Sequence, residues 1–164
     1  MLLLFFLLIG STNAFCCGYG QYRYFVTVQG LFGDVEEARC GSCSSGTYQD
    51  SGVCHTYSYC SACPTGRYEY RSGSRECLLC PVGKYQPSTG QIYCIDCVNG
   101  FTTTSTGSPD VSYCSECLPG TYKTASQCVQ CEVGRYQDLF TQTSCKRCPV
   151  GRYMDEVGSQ MCKD

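Results

Sequence analysis

The sequence predicts a small disulfide-rich fold, an elongated tandem array of short β/turn repeats of about 17 residues, with little helix and no large hydrophobic core. Three observations carry this reading. There are 18 cysteines in 164 residues, above the density that marks a short secreted chain as a disulfide scaffold. Leu, Ile, Val and Phe supply only 23 of the 150 residues from Phe15 onward, too few for a sizeable core. CxxC pairs begin at Cys40, Cys60, Cys77, Cys94, Cys114, Cys128 and Cys145, with steps of 20, 17, 17, 20, 14 and 17, and Cys162 follows after a further 17. One insertion of three is thus cancelled by a deletion of three. Cross-links must stand in for the missing core: each bridge closing a loop of about 15 residues contributes roughly 3 kcal/mol in the chain-entropy model, against the ordering cost of the chain.

Residues 1–14 set the compartment. Met1 to Ile9 is an unbroken apolar run followed by Gly10-Ser-Thr-Asn-Ala14, with small residues where a signal peptidase cuts, so the segment reads as a secretory signal peptide although it holds no Lys or Arg. Nine apolar residues fall short of the about 20 that cross a bilayer, and no later stretch is apolar enough to do so.

Residues 15–39 differ in character and are expected to form an N-terminal cap or short β segment. Tyr22-Arg-Tyr-Phe-Val-Thr-Val28 is β-branched and aromatic, with Gly30 and Gly33 after it, so it predicts a strand entering a turn. Asp34 to Arg39 is expected as a helical turn. The segment either caps the array or offers a ligand-contacting edge strand suited to strand addition.

Residues 40–162 are the repeats. The second cysteine of a pair opens a near-constant phrase, as in Cys43-Ser-Ser-Gly46-Thr-Tyr48, Cys63-Pro-Thr-Gly66-Arg-Tyr68, Cys80-Pro-Val-Gly83-Lys-Tyr85, Cys117-Leu-Pro-Gly120-Thr-Tyr122, Cys131-Glu-Val-Gly134-Arg-Tyr136 and Cys148-Pro-Val-Gly151-Arg-Tyr153. Pro presets φ for a turn, Gly supplies a positive φ, and Tyr can cover a disulfide while its hydroxyl stays wet. One unit departs: Cys97-Val-Asn-Gly-Phe101 moves its aromatic forward and continues into Thr102-Thr-Thr-Ser-Thr106-Gly-Ser-Pro109, expected as an exposed polar loop open to O-glycosylation. The chain stops two residues after Cys162, inside the pattern, so the final unit is expected to be truncated and a longer form to continue into further repeats or a membrane anchor.

Tandem CxxCPxGxY units resemble the ephrin type A/B receptor-like repeat, and they are similar to tumour necrosis factor receptor cysteine-rich modules, within the growth factor receptor cysteine-rich superfamily. The resemblance implies that the cysteine before each turn bonds the next cysteine along the chain: Cys43 with Cys54, Cys63 with Cys77, Cys80 with Cys94, Cys97 with Cys114, Cys117 with Cys128, Cys131 with Cys145, and Cys148 with Cys162. Cys16, Cys17, Cys40 and Cys60 are then left to pair among themselves.

Competing chemistry is weaker. CxxC pairs also match zinc sites, but a secretory leader sends them to an oxidising compartment, and no βαβ pattern supports a thiol oxidoreductase. His55 is the sole histidine, and no calcium loop or catalytic constellation is present, so no enzyme, cofactor or metal is expected. A net charge of −2 without a basic run excludes nucleic acid as a natural partner. Arg67, Lys84, Arg135 and Arg152 recur between Gly and Tyr and either face water or form a weakly basic stripe for an acidic partner or glycan. The predicted function is an extracellular or cell-surface, non-catalytic repeat protein, either a receptor-type binding or adhesion ectodomain or a stalk, with an extracellular protein or glycan as partner. The alternatives are a zinc-binding CxxC protein and a secreted toxin- or inhibitor-like disulfide protein.

Overall fold

The computed structural model of the chain describes residues 16–31, 33–50 and 59–164; the leader, Cys54 and His55 lie outside the described residues. The described strands form seven antiparallel pairs. The first is a long ribbon of β1 (Gln21–Gly30) and β2 (Gly33–Ser42). The rest are short: β3 (Thr47–Tyr48) with β4 (Ser61–Ala62), β5 (Arg67–Tyr68) with β6 (Leu78–Leu79), β7 (Lys84–Tyr85) with β8 (Ile95–Asp96), β9 (Phe101–Thr102) with β10 (Glu116–Cys117), β11 (Thr121–Lys123) with β12 (Cys128–Gln130), and β13 (Arg135–Tyr136) with β14 (Lys146–Arg147). One 3-10 turn among the described residues, Val111–Tyr113, is capped by the Asp110 carboxylate accepting from the Ser112 N–H. Asp34–Arg39 is strand, not the expected helical turn. Val35, Glu36 and Glu37 face β1 residues in continuous register, and this tertiary pairing overrides weak local helix propensity.

Each repeat starts from its glycine. Gly46, Gly66 and Gly83 have φ of 79°, 74° and 84°, the positive value that a type II turn requires at its third position. The turn closes through the next N–H, as from Arg67 to Pro64 O and Lys84 to Pro81 O, both 3.1 Å. The chain then runs as a two-residue strand, loops, and returns through a disulfide to pair with it. The bridges are Cys17–Cys40, Cys43–Cys60, Cys63–Cys77, Cys80–Cys94, Cys97–Cys114, Cys117–Cys128, Cys131–Cys145 and Cys148–Cys162. The implied Cys43–Cys54 bond is therefore replaced by Cys43–Cys60, which takes Cys60 out of the group of four. The physical reason is the returning strand: each turn cysteine up to Cys131 bonds the first cysteine of the next CxxC, which leads directly into the strand that pairs back. Cys60 leads into β4 in this way, whereas Cys54 belongs to no CxxC. Cys16 is also disulfide-bonded.

Four backbone hydrogen bonds join one repeat to the next. Between the Cys63 and Cys80 units, Gly66 N–H donates to Gln86 O (2.8 Å), Cys80 N–H to Gly66 O (2.9 Å), Glu69 N–H to Gln91 O (3.1 Å) and Gly90 N–H to Cys63 O (2.8 Å). The Cys43/Cys63, Cys117/Cys131 and Cys131/Cys148 joints repeat the same four. The N-terminal segment joins the series as well: Cys17-Gly-Tyr-Gly20-Gln-Tyr22 makes the same turn, Gly20 N–H donates to Gln49 O, and Cys43 N–H donates to Gly20 O. The ribbon is thus the returning hairpin of a first repeat, greatly lengthened.

The Cys97/Cys117 joint is the exception. The loop from Cys117 to Cys128 is the short one, and here the described contacts are the β9–β10 pair, Cys128 N–H to Asn99 O, and Asn99 Nδ2 to Ser126 O. Burial follows the ladder. Cys17, Cys43, Cys63, Cys80, Cys117 and Cys131 are buried, whereas Cys97 at the interrupted joint and Cys148 in the last repeat are only half-buried.

Candidate functional site

Apart from cysteines and Met154, the buried side chains of the array are polar. Directly after the half-buried tyrosines Tyr48, Tyr68, Tyr85 and Tyr136 stand Gln49, Glu69, Gln86 and Gln137, all buried. Gln86 donates from Nε2 to Tyr93 O and accepts at Oε1 from Ser88 N–H; Gln137 does the same with Ser144 O and Leu139 N–H. Each amide ties both ends of its own loop, satisfying backbone groups that would be costly to leave unpaired. The sequence reading overlooked these residues, and the available signal was the recurrence of Tyr-Gln at 48–49, 85–86 and 136–137.

Glu69 is the acidic version. Burial by itself would raise its pKa, but hydrogen bonds from the Arg71 backbone N–H, the Arg71 guanidinium and Ser74, with the Arg71 charge, together hold it below the usual carboxylate range. It is therefore an anchored anion serving the loop that carries Gly73, whose N–H donates to Cys43 O.

The turn glycines meet the repeat two places on. A Cβ on Gly66 would run into the Gly107 carbonyl, one on Gly46 into Gly90, one on Gly20 into Gly73 and one on Gly120 into Gly158. At Gly134 and Gly151 nothing lies within 4 Å. Tyr122 is half-buried like its counterparts, and Tyr153 is exposed.

The Ser/Thr segment does not form the freely exposed loop expected. Thr102, Thr103 and Ser108 are buried, and only Thr104 to Thr106 face solvent. Thr103 Oγ1 accepts from Gly83 N–H at 3.0 Å and donates to Ser105 O. The hydroxyl takes the place of the carbonyl that receives this N–H at the regular joints.

The recurrent cations are engaged locally. Arg67 and Arg135 donate to the carbonyls of Cys77 and Cys145, Lys84 pairs with Asp96 directly across its strand pair, and Arg152 pairs with Asp164. A stripe of unopposed positive charge is therefore not what these residues build.

Each CxxC gives its two sulfurs to two different bridges, and no described cysteine is free. Among the described residues no group of three or more His, Cys, Asp or Glu is placed to hold a metal, and no helix is long and apolar enough to cross a membrane. The concavities are shallow. One of about 240 Å³ lies between Tyr122 and Arg135. Another, of about 390 Å³, is lined by Tyr22, Ser42, Ser44, Thr47, Tyr59 and Cys60 at the base of the ribbon.

The ribbon is the other distinctive surface. Gly33 to Glu37 are exposed without interruption, Leu31 at the tip is 99% exposed, and Glu37 and Arg39 form an exposed ion pair on one face.

The family described as tyrosine-protein kinase ephrin type A/B receptor-like matches residues 70–114 and 120–164, together more than half of the chain. The chain belongs to this ephrin type A/B receptor-like family. No individual curated protein matches it. The two ephrin-receptor-like matches are separated by residues 115–119, which is where the ladder between repeats is interrupted. The ribbon lies outside both matches. Ephrin-receptor-like repeats of this kind are extracellular disulfide-rich modules, and this chain is built as one.

Proposed function

We propose that this protein is a non-catalytic extracellular spacer that carries its contact element, the β1–β2 ribbon, at one end. The observation that supports this most is the ladder. At four of the joints between repeats the same four backbone bonds recur, whatever the loop sequences, so the array transmits position rather than enclosing a ligand. Residues 1–14 are the secretory leader in this reading, consistent with an oxidising destination for 18 cysteines. The recognition chemistry lies in the ribbon, and the partner is an extracellular protein or glycan.

The test is to exchange loop residues 87–89, 104–106 and 138–140 for Gly/Ser sequences in protein secreted from eukaryotic cells, keeping every cysteine, turn glycine and post-tyrosine residue. A spacer keeps its small-angle scattering dimensions and its cell-surface contacts. Loss of a saturable partner with the fold intact would instead make the loops a receptor-type binding surface.

A further inference from the structure

β2 has an open edge. Gly30 and Gly33 close the hairpin across two residues, and Cys43 N–H bonds Gly20 O at its base. This phase turns the N–H and C=O groups of Val35, Glu37, Arg39 and Gly41 toward β1, leaving those of Asp34, Glu36, Ala38 and Cys40 pointing away from it. Among the described residues no backbone bond reaches this outer edge. A two-stranded ribbon is marginal on its own, and an edge that has no Pro, bulge or cover among the described residues is a template for another strand.

We infer that this edge pairs with the same edge of a second copy of the chain, antiparallel about Ala38, to form a four-stranded sheet with two-fold symmetry. The charge pattern selects the partner and the register. Centred on Ala38, Glu37 of each copy lies directly opposite Arg39 of the other, twice by symmetry, in the non-hydrogen-bonded position where side chains come closest. Both side chains point to one face and are about half exposed. Glu36 then faces Cys40, and no like charges oppose each other. Other registers are worse. Centring on Glu36 or Glu37 sets a glutamate against its own copy, centring on Val35 sets Asp34 against Glu36, and centring on Arg39 opposes two arginines; like charges directly opposite destabilise a pair. The Ala38 register also carries each exposed Leu31 tip toward the concavity beside Ser42 and Ser44 of the other copy. A two-fold interface of this kind is self-complementary and closes at two copies.

The test uses sedimentation equilibrium of the secreted, oxidised protein at 10–100 micromolar (about the range for a modest edge interface). The wild type is expected to be a concentration-dependent dimer. E37R sets Arg against Arg and R39E sets Glu against Glu, so each alone should weaken association about tenfold or more. Mixed one to one, the two variants restore both opposite-charge pairs and should associate as a heterodimer near wild-type strength. A38P removes an N–H that points outward, so it should weaken the dimer while leaving the hairpin's own bonds in place. A monomeric wild type, single variants that still dimerise, or a mixture no stronger than its components would each overturn the inference.

Discussion

Gly66→Ala probes the packing between repeats directly. Gly66 has φ of 74°, so an alanine there incurs about 1–2 kcal/mol from the left-handed conformation. Its Cβ would also enter the Gly107 peptide group, with the carbonyl carbon 2.8 Å away. That neighbour is backbone and cannot swing aside, and overpacking of this sort costs about 1–3 kcal/mol. Moving Gly66 further loosens its N–H bond to Gln86 and its C=O bond from Cys80, each worth about 0.5–1.5 kcal/mol. Together these give about 3–8 kcal/mol. Gly151→Ala is the control: φ is 89°, but nothing lies within 4 Å, so only the conformational cost of about 1–2 kcal/mol remains. The gain from restricting the unfolded chain applies to both and cancels in the comparison. Denaturant unfolding of the oxidised proteins, with hydrogen exchange of the Gly66, Cys80 and Gly90 amides as a local readout, should show Gly66→Ala the more damaging by about 2–6 kcal/mol. Equal effects at the two sites would refute the reasoning, because they would mean that repeats two places apart do not touch.

Thr103→Val keeps the shape but leaves the Gly83 N–H without its acceptor, and is expected to cost about 1–3 kcal/mol by chemical denaturation while Thr103→Ser costs little. Gln137→Leu strands Ser144 O and Leu139 N–H and should speed amide exchange throughout the Cys131–Cys145 loop. Glu69 has a folded pKa below its unfolded value of about 4.3, so the stability it contributes is complete above that value and is lost as pH falls through the folded pKa; a pH series from 6 to 2 should show an acid-induced loosening near Arg71 that Glu69→Gln removes. Asp96→Ala breaks an exposed pair with Lys84 and should change stability by no more than about 0.5 kcal/mol.

The parts of the fold that lie in local chemistry could be read from the chain alone. The repeat period follows from cysteine spacing, the turn from its obligatory glycine, and the first strand of the ribbon from Tyr22 to Val28. What escaped depends on contacts between repeats. Gln86 and Gln137 look like ordinary polar loop residues until the return of the chain buries them. Thr103 reads as one of a solvent-facing run until the forward shift of Phe101 puts its hydroxyl where a carbonyl would otherwise accept. The phrase Cys17-x-x-Gly20-x-Tyr22 was present in the sequence, but 19 residues separate Gly20 from the next CxxC at Cys40 and hide the kinship. The strand at Asp34–Arg39 is set by its partner β1 rather than by its own residues. The Cys43 pairing needed the returning strand β4, because counting along the chain reaches Cys54 first.

The most direct measurement is a disulfide map of the unreduced protein secreted from eukaryotic cells, by proteolysis and mass spectrometry. The account predicts peptides linking Cys17 to Cys40, Cys43 to Cys60, each later turn cysteine up to Cys131 to the first cysteine of the CxxC that follows, and Cys148 to Cys162. Free thiols at the CxxC pairs, metal retained by the native protein, or a Cys43–Cys54 link would contradict the repeat geometry from which the joints, the polar interior and the open ribbon edge all follow.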